Sequence, residues 1–364
     1  MLFLLILAIL VVIIIIFLNT YPHFGKKYSK ARMESYRALE NYSNGKFVNQ
    51  IPTSMSSDLK TTYTMLRDFI KKNPNRTPKE HIPMTNMNAS KLNNRNEDTK
   101  ITWFGHSALL IEIAGKNILV DPMFGNTPSP FPQFGGNRFS KGLPFEIDDL
   151  PKIDAVILSH DHYDHLDYGT IKKLMQKVNR FIVPLGVGSH LVTWGVQKEK
   201  VTEHNWWDEF KFEDLTLACT PARHFSGRSL TDRNSSLWCS WVITNEVNRI
   251  FFSGDSGYAL HFKEIGEKYG PFDIALMECG QYDERWSAIH MLPEETVQAF
   301  VDVKGQVLVP IHWGAFTLAF HDWNDPVERV LKAAKDSNLQ ISTPKIGESI
   351  NLTIKEFPTS TWWK

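Results

Sequence analysis

The sequence predicts an α+β protein in which β-sheets are covered by helices, preceded by an apolar segment that can form a transmembrane helix. Three observations support this prediction. Short runs of branched and aromatic residues recur between Ile101 and Ile311, single helical patterns separate several of them, and Met1–Leu18 is almost wholly apolar. At 364 residues, of which 42% are hydrophobic, the chain is long enough to bury a large core.

The segment Met1–Leu18 carries no charged side chain and is close to the roughly 20 residues that a membrane-spanning helix needs. It lacks the basic start and the small-residue cleavage site of a signal peptide, which favours a retained single-pass anchor over residues 1–19 in the cell membrane. A cleaved signal or a buried helix is the alternative. The basic residues that follow are Lys26, Lys27, Lys30 and Arg32. By the positive-inside rule, they predict that the rest of the chain lies on the cytoplasmic side.

Residues 20–98 are polar and weakly patterned, and we predict that they form a linker and an N-terminal wrap on the following domain. Within them, Leu59–Lys71 has the apolar spacing of a helix. The main domain is predicted at residues 99–352, where the composition changes to short β-type runs. Residues 353–364 are predicted to be a C-terminal tail.

Strands and helices alternate along the main domain. The predicted strands are Ile101–Phe104, Ala108–Ala114, Ile118–Val120, Asp154–Leu158, Phe181–Pro184, Leu215–Thr220, Leu237–Thr244, Ile250–Ser253, Ile274–Met277 and Val307–Ile311. The predicted helices are Tyr168–Val178, Ala259–Tyr269, Pro293–Val303 and Pro326–Lys335. A tight hairpin turn is predicted at Ala114–Asn117.

A long loop rich in proline, glycine and phenylalanine is predicted at Asp121–Arg138. Loops of this length inside a compact domain are usually functional or disordered. The three phenylalanines of this loop, Phe124, Phe131 and Phe134, either line an apolar substrate entrance or attach the loop to the core.

The sequence Ser-His-Asp-His-Tyr-Asp-His-Leu-Asp, directly after the strand Asp154–Leu158, is the strongest functional signal. It contains His160, His162, Asp164 and His165, and imidazole and carboxylate are ligands that zinc prefers. Because positions i and i+2 of an extended loop point the same way, His160 and His162 can bind one ion. Asp164 and His165 would then face a second ion. A polar loop with incidental histidines is the alternative.

Three further candidate ligands each follow a predicted strand: His224, Asp255 and His312. We predict that His224 completes the first ion's set, that His312 completes the second, and that Asp255 bridges the two ions. Each ion then keeps an open position, which is typical of a catalytic rather than a structural site. Two such ions at about 3.5–4 Å from each other activate water, so the predicted chemistry is hydrolysis.

Composition limits the remaining function classes. Basic and acidic residues both number 40, so the formal net charge of zero argues against a nucleic-acid partner. The three cysteines, Cys219, Cys239 and Cys279, match neither a CxxC metal pair nor a disulfide framework, and suggest burial or a reducing compartment. The donor set suits two zinc ions, with iron or manganese as alternatives. Nothing in the sequence predicts the oligomeric state.

Longer motifs carry a family resemblance. The chain resembles the metallo-β-lactamase superfamily and, within it, the group of phospholipases D that hydrolyse N-acylphosphatidylethanolamine. The segments that carry it include Lys46–Thr53, Trp103–Phe124, Ser159–Asp167, Thr220–Ile243, Phe251–Tyr258, Gly280–Trp286, His290–Phe300 and Ile311–Asp322. The resemblance implies a four-layer αββα sandwich, two zinc ions and the same ligands. It implies a phospholipid substrate, cleaved to phosphatidic acid and N-acylethanolamine.

The resemblance also implies a role for His290 beside the metals. We therefore expect His290 to be catalytic together with Asp164 and Asp255. For His290, the alternative is a structural histidine before a helix. The side chains expected to support the ligands or bind substrate are His106, Asp121, Asp161, Gln281 and Tyr282. Asp161 is equally interpreted as a plain loop carboxylate. Gln281 stands in a GQY sequence where these phospholipases more often have GAY, which leaves the lipid open.

Two other functions are compatible with the same residues. One is a metal-dependent lactone or ester hydrolase, or another phosphodiesterase of the superfamily, because the same ligands serve carbonyl and phosphoryl centres. The other is a membrane protein that binds a structural metal without catalysis, which the predicted open positions disfavour.

Overall fold

The computed structural model describes residues 1–54, 58–71, 73–88, 92, 95–131, 133 and 135–364. The strands are β1 (Tyr42–Ser43), β2 (Lys46–Phe47), β3 (Lys100–Trp103), β4 (Leu109–Ile113), β5 (Lys116–Val120), β6 (Ile153–Ile157), β7 (Val178–Pro184), β8 (Val201–His204), β9 (Glu209–Phe212), β10 (Leu215–Thr220), β11 (Ser240–Thr244), β12 (Arg249–Phe252), β13 (Phe272–Glu278), β14 (Gly305–Ile311), β15 (Gln340–Ile341) and β16 (Ser349–Asn351). The α-helices are α1 (Leu2–Thr20), α2 (Lys30–Glu34), α3 (Leu59–Ile70), α4 (Tyr168–Leu174), α5 (Gly188–Thr193), α6 (His261–Tyr269), α7 (Pro293–Asp302) and α8 (Asp325–Asp336).

The strands β3 to β16 form two seven-stranded sheets with matching organisation. The first sheet has the order β16-β3-β4-β5-β6-β7-β8, and the second has the order β15-β14-β13-β12-β11-β10-β9. In each sheet, antiparallel pairs on one side continue into parallel pairs on the other. The carboxyl ends of the parallel strands therefore meet at one edge of each sheet.

Both faces of the first sheet are buried, in different cores. Along β4, Leu109 and Ile111 belong to the core that the two sheets share, whereas Leu110 packs in the core that also contains Ile171 of α4 and Leu191 of α5. This alternation follows from the two-residue period of a strand. The shared core extends to residues of α6, α7 and α8 on the second sheet. The predicted αββα sandwich is confirmed.

The predicted strands and helices differ from the observed ones mainly at their ends. The helix predicted at Tyr168–Val178 ends at Leu174, because Val178 already pairs with Ile153 as the first residue of β7. The strand predicted at Leu237–Thr244 begins at Ser240. The predicted turn at Ala114–Asn117 is confirmed: β4 and β5 pair up to Ile113 and Lys116, and Ala114 and Gly115 adopt positive φ. The short strands β8, β9, β15 and β16 were not predicted.

The long loop after β5 is attached at two of its phenylalanines. Phe124 is buried against Phe104 and Phe145. Phe131 stacks on Tyr21, with ring centroids 5.6 Å apart, just after the N-terminal helix. These contacts favour attachment of the loop over the lining of an entrance. Phe134 lies outside the described residues.

The two ends of the chain are organised differently. Among the described residues, one helix is long and apolar enough to cross a membrane, over Phe3–Thr20, and none of that stretch is buried. At the other end, Trp363 is buried, and Trp362 stacks on Trp313 with ring centroids 5.2 Å apart. The predicted tail therefore packs beneath the residue that follows His312. The domain boundaries themselves stay a prediction.

Candidate metal centre

All seven predicted ligands lie at one edge of the sandwich, just after the ends of strands. They are His160, His162, Asp164 and His165 after β6, His224 after β10, Asp255 after β12 and His312 after β14. The last three residues of each strand are buried, so its path is determined by the core, and the polar side chains that follow it emerge at the rim. Residues far apart in sequence are brought together in this way.

The first predicted set converges closely. Nδ1 of His162 lies 2.9 Å from Nε2 of His160 and 3.2 Å from Nε2 of His224. One ring nitrogen from each of the three lies within 4.8 Å of the others. Three imidazole nitrogens that face one another at such distances form a donor set for a single cation.

The second predicted set also converges, with one addition. Asp164, His165 and His312 offer donor atoms within 4.8 Å of one another, and His106 joins them. Nε2 of His106 lies 2.9 Å from Oδ2 of Asp164. His106 was expected to support the ligands, and its hydrogen bond to Asp164 is suited to that role.

Asp255 lies between the two sets. Its Oδ2 is 3.0 Å from Nε2 of His165 and 3.8 Å and 3.9 Å from the Nε2 atoms of His160 and His224. Its Oδ1 is 3.0 Å from Nδ1 of His312. One carboxylate therefore reaches histidines of both predicted ion sets, which is the arrangement that a bridging ligand requires.

Burial sets the charge of most of these histidines. It lowers the pKa of His160, His224 and His312 well below the ordinary value and that of His162 to about 4, so these rings are neutral and offer lone pairs. His165 behaves differently. Burial also acts to lower its pKa, but the surrounding carboxylates, with Asp255 first, raise it well above the ordinary value. The centre thus favours positive charge beside His165.

The residues fit a metal cation. Nε2 of His312 and Oδ1 of Asp255 are buried and make no hydrogen bond with the described residues. Buried polar atoms are normally hydrogen-bonded, and a bound cation satisfies such lone pairs. Imidazole and carboxylate together suit zinc, and they also suit iron or manganese.

The two supporting aspartates have different surroundings. Oδ2 of Asp121 lies 2.7 Å from Nδ1 of His165, and Oδ1 accepts from the amide of Ser159, so Asp121 orients a predicted ligand. Asp161 instead accepts from the amide of Gly227 and lies 3.2 Å from Nε2 of His190. It holds the histidine loop in place without contacting a predicted ligand atom, as a loop carboxylate does.

His290 lies against both sets. Its ring centroid is 5.0 Å from that of His224 and 5.2 Å from that of His312, with the latter pair stacked. Its Nδ1 lies 3.0 Å from Oε2 of Glu278. Glu278 was not predicted from the sequence, although a carboxyl side chain directly after the apolar run Ile274–Met277 of β13 was a signal for it. Burial raises the pKa of Glu278 well above its ordinary value.

Gln281 and Tyr282 are not brought to the ligand atoms. The side-chain amide of Gln281 accepts a hydrogen bond from the backbone N–H of Leu318 and donates one to the carbonyl of Phe316. These bonds attach Gln281 to the loop after β14. The Tyr282 hydroxyl contacts Asp325, at the start of α8. Tyr282 also lines a cavity of about 780 Å³. Their substrate-binding role stays a prediction.

Two other residues that the sequence analysis missed hold the centre from outside. Asn49, in the N-terminal wrap, bonds both backbone groups of His224. Arg228 donates to the carbonyls of Asp161 and Leu166 in the histidine loop and to the carbonyl of His23, next to α1. Neither contact is visible in the sequence, because the partners are 62 to 205 positions away.

The chain is similar in sequence to known proteins. The family model for the β-lactamase superfamily domain matches residues 116–313. An uncharacterised protein of Mycobacterium tuberculosis is 40% identical over 335 residues, which cover 89% of this chain and 87% of that protein. N-acyl-phosphatidylethanolamine-hydrolyzing phospholipase D 1 of Caenorhabditis elegans is 33% identical over 251 residues, which cover 65% of this chain and 70% of the enzyme.

Among solved structures, the chain is similar to Igni18, a metallo hydrolase of Ignicoccus hospitalis. The TM-score is 0.55 at 24% identity, and the match covers 70% of this chain and 98% of Igni18. This likeness shows the fold. The family match and the relatives go further: the chain belongs to the metal-dependent hydrolases of the β-lactamase superfamily and, within them, to the group of proteins related to N-acyl-phosphatidylethanolamine-hydrolysing phospholipase D.

Proposed function

We propose that this chain is a membrane-anchored di-zinc phosphodiesterase of the phospholipase D type. Its substrates would be N-acylphosphatidylethanolamine-like phospholipids, and its products phosphatidic acid and N-acylethanolamine. The observation that carries the proposal is the convergence of seven histidine and aspartate side chains into two adjoining donor sets with Asp255 between them. Membership in the phospholipase D group supports a phosphodiester bond as the target.

The two donor sets support the following assignment of the ligands. His160, His162 and His224 would hold one zinc ion. Asp164, His165 and His312 would hold the other, and Asp255 would be shared. When bound, the ions supply Lewis-acid charge and lower the pKa of water enough to make it a nucleophile near neutral pH.

We assign proton transfer during hydrolysis to two side chains. The side chains of Asp164 and His290 are 14% and 13% exposed, whereas that of Asp255 is 1% exposed. Asp164 accepts the proton that the attacking water loses. Nε2 of His290 gives a proton to the head-group oxygen as its bond to phosphorus breaks and the bond from the water oxygen forms. Asp164 and His290 then exchange these protons with solvent.

Two helices support a membrane location. The apolar side chains over Phe3–Phe17 of α1 are exposed, as in a helix that lies in lipid. A surface helix normally packs its apolar face on the protein, but α3 packs its polar face there. Thr64 and Asp68 contact Arg285 of the main domain, while apolar side chains such as Phe69 point outward at 72% exposure. An outward apolar face suits the surface of a bilayer. The basic residues after α1 support a cytoplasmic position for the hydrolase domain.

The proposal is tested with the full chain in detergent. Purified protein, loaded with zinc, is mixed with N-acylphosphatidylethanolamine in micelles, and the lipid and head-group products are resolved by mass spectrometry. We expect phosphatidic acid and N-acylethanolamine in equal amounts, and no products after chelation. Release of a fatty acid instead would indicate an ester hydrolase. The absence of any product from the zinc-loaded protein would reject the proposed substrate.

Metal identity and bond type need separate measurements. Elemental analysis of protein purified without added metal identifies the bound ions. A parallel assay with bis(p-nitrophenyl) phosphate and a lactone separates phosphodiester from carbonyl chemistry. Hydrolysis of the phosphodiester alone is the expected result.

A further inference from the structure

Hydrogen bonds of Glu278 connect three segments at the edge of the sandwich that carries the predicted ligands. Its side chain is fully buried at the end of β13. Its Oε1 accepts hydrogen bonds from the backbone amides of Met291, at 2.8 Å, and Ser256, at 3.2 Å. These residues directly follow His290 and Asp255. The other oxygen, Oε2, lies 3.0 Å from Nδ1 of His290.

We infer that Glu278 is a positioning residue for His290: its neutral carboxyl donates from Oε2–H to Nδ1, so that the imidazole carries its proton on Nε2. The role rests on the phosphodiesterase function proposed above, in which Nε2 faces the leaving oxygen. Two amide N–H groups donate to Oε1, so Oε2 is the oxygen that faces Nδ1, and the full burial of the side chain favours the neutral carboxyl. The second oxygen is then free to carry the hydrogen.

The hydrogen bond between Glu278 and Nδ1 of His290 leaves Nε2 as the nitrogen available to the substrate. Nε2 makes no hydrogen bond with the residues that the structure describes, and the side chain is partly open to solvent. The ring lies between His224 and His312. A half-turn about the Cβ–Cγ bond or a change of tautomer would withdraw the proton from Nε2. The hydrogen bond to Glu278 opposes both changes.

Packing alone does not account for a carboxyl group at this position. Burying a polar group is costly unless its hydrogen bonds are made, and an apolar side chain at the end of β13 would avoid that cost. Among the described residues, the hydrogen-bond partners of the Glu278 carboxyl belong to loops that carry Asp255 and His290. The group therefore serves the site.

Two substitutions of Glu278 test whether it acts as a positioning residue. Glu278→Gln keeps an oxygen for the two amides and an N–H donor for Nδ1, so we expect kcat within about 10-fold of wild type. Glu278→Ala removes both, and we expect kcat to fall by about 100-fold with KM unchanged, a typical effect of losing general acid catalysis. Equal losses in the two variants would overturn the inference, because a neutral donor would then not suffice.

A double variant tests whether Glu278 acts through His290. In the His290→Ala background, we expect Glu278→Ala to cost less than about 3-fold, since effects of residues that act as a unit are not additive. A full 100-fold further loss would show a separate role. Glu295→Gln is the matched control: Glu295 caps α7 by accepting from Leu292 and makes no contact with His290 in the described structure. We expect it to leave kcat unchanged.

The tautomer is read directly by nitrogen NMR of the zinc-loaded full chain in detergent, with His290 assigned from the His290→Ala spectrum. We expect a proton on Nε2 in wild type and in Glu278→Gln, and a mixture of tautomers in Glu278→Ala. A proton on Nδ1 in wild type would overturn the inference. This measurement needs no substrate, so it stands even if N-acylphosphatidylethanolamine is not cleaved.

Discussion

Asn49 bonds the backbone of His224 from both sides. Its Nδ2 donates to the His224 carbonyl at 2.8 Å, and its Oδ1 accepts from the His224 amide at 3.1 Å. The same Oδ1 also accepts from the indole of Trp238. A residue of the N-terminal wrap therefore determines where a predicted ligand of the first set lies.

Asn49→Ala should weaken metal binding without unfolding the protein. The backbone of His224 loses both hydrogen bonds and gains freedom, so we expect about 10- to 100-fold lower metal affinity, as for other residues that support ligands. Competition with a chelator, followed by elemental analysis, measures the affinity. Gln50→Ala is the control, since Gln50 is the exposed neighbour. An affinity equal to that of the control would contradict a positioning role for Asn49.

Asp255→Asn should give a folded protein that has lost activity. Asp255 reaches histidines of both sets, so its loss should reduce the content of one or both ions and lower kcat by at least about 100-fold. Circular dichroism checks the fold, elemental analysis measures the ion content, and the phospholipid assay measures kcat. Asp302→Asn, which alters a carboxylate paired with Tyr258, is the control. A variant that simply unfolds would favour a structural metal site.

The double substitution Leu66→Ser and Phe69→Ser should impair action on bilayers only. It removes apolar area from the exposed face of α3, whose side chains are 57% and 72% exposed at these positions. We expect a several-fold higher KM for phospholipid in vesicles and an unchanged rate on bis(p-nitrophenyl) phosphate. The control is Val247→Ser, because Val247 is 79% exposed in the turn before β12, at the edge away from the site. Equal effects of the two changes would count against α3 as a membrane contact.

Acid should destabilise the protein partly through His261. Burial, with the charge of Arg223, lowers the pKa of His261 to about 3 from an ordinary value of 6.5. Because the folded pKa is lower than the unfolded one, the stabilisation is complete above pH 6.5 and is lost as the pH falls toward 3. Between pH 6.5 and 4.5 we expect wild type to lose up to about 3 kcal/mol more unfolding free energy than His261→Gln.

Urea unfolding of the full chain at several pH values checks this difference. His81→Gln is the control, because His81 is exposed. We expect the control to follow the wild-type curve. If His261→Gln also follows that curve, His261 is not responsible for the acid sensitivity.

Much of the site was predictable because its residues stand in local patterns. His160, His162, Asp164 and His165 lie within six positions directly after an apolar strand, and their spacing alone predicts ligands. The strand periods likewise predicted a sheet covered by helices, and the apolar start of the chain predicted α1. Such features depend on neighbours in sequence, where residue type and spacing carry the information.

Other features were decided only by the tertiary structure. Asn49 and His224 are 175 positions apart, and no sequence pattern links them. Glu278 and His290 meet because the end of β13 and the start of α7 lie side by side at the same rim. The sequence determined the donor types, the order of strands and helices and the apolar N-terminal helix. Which carboxyl faces which imidazole depended on how the two sheets pack, because hydrogen bonds require positions within about 3 Å that only the folded core supplies.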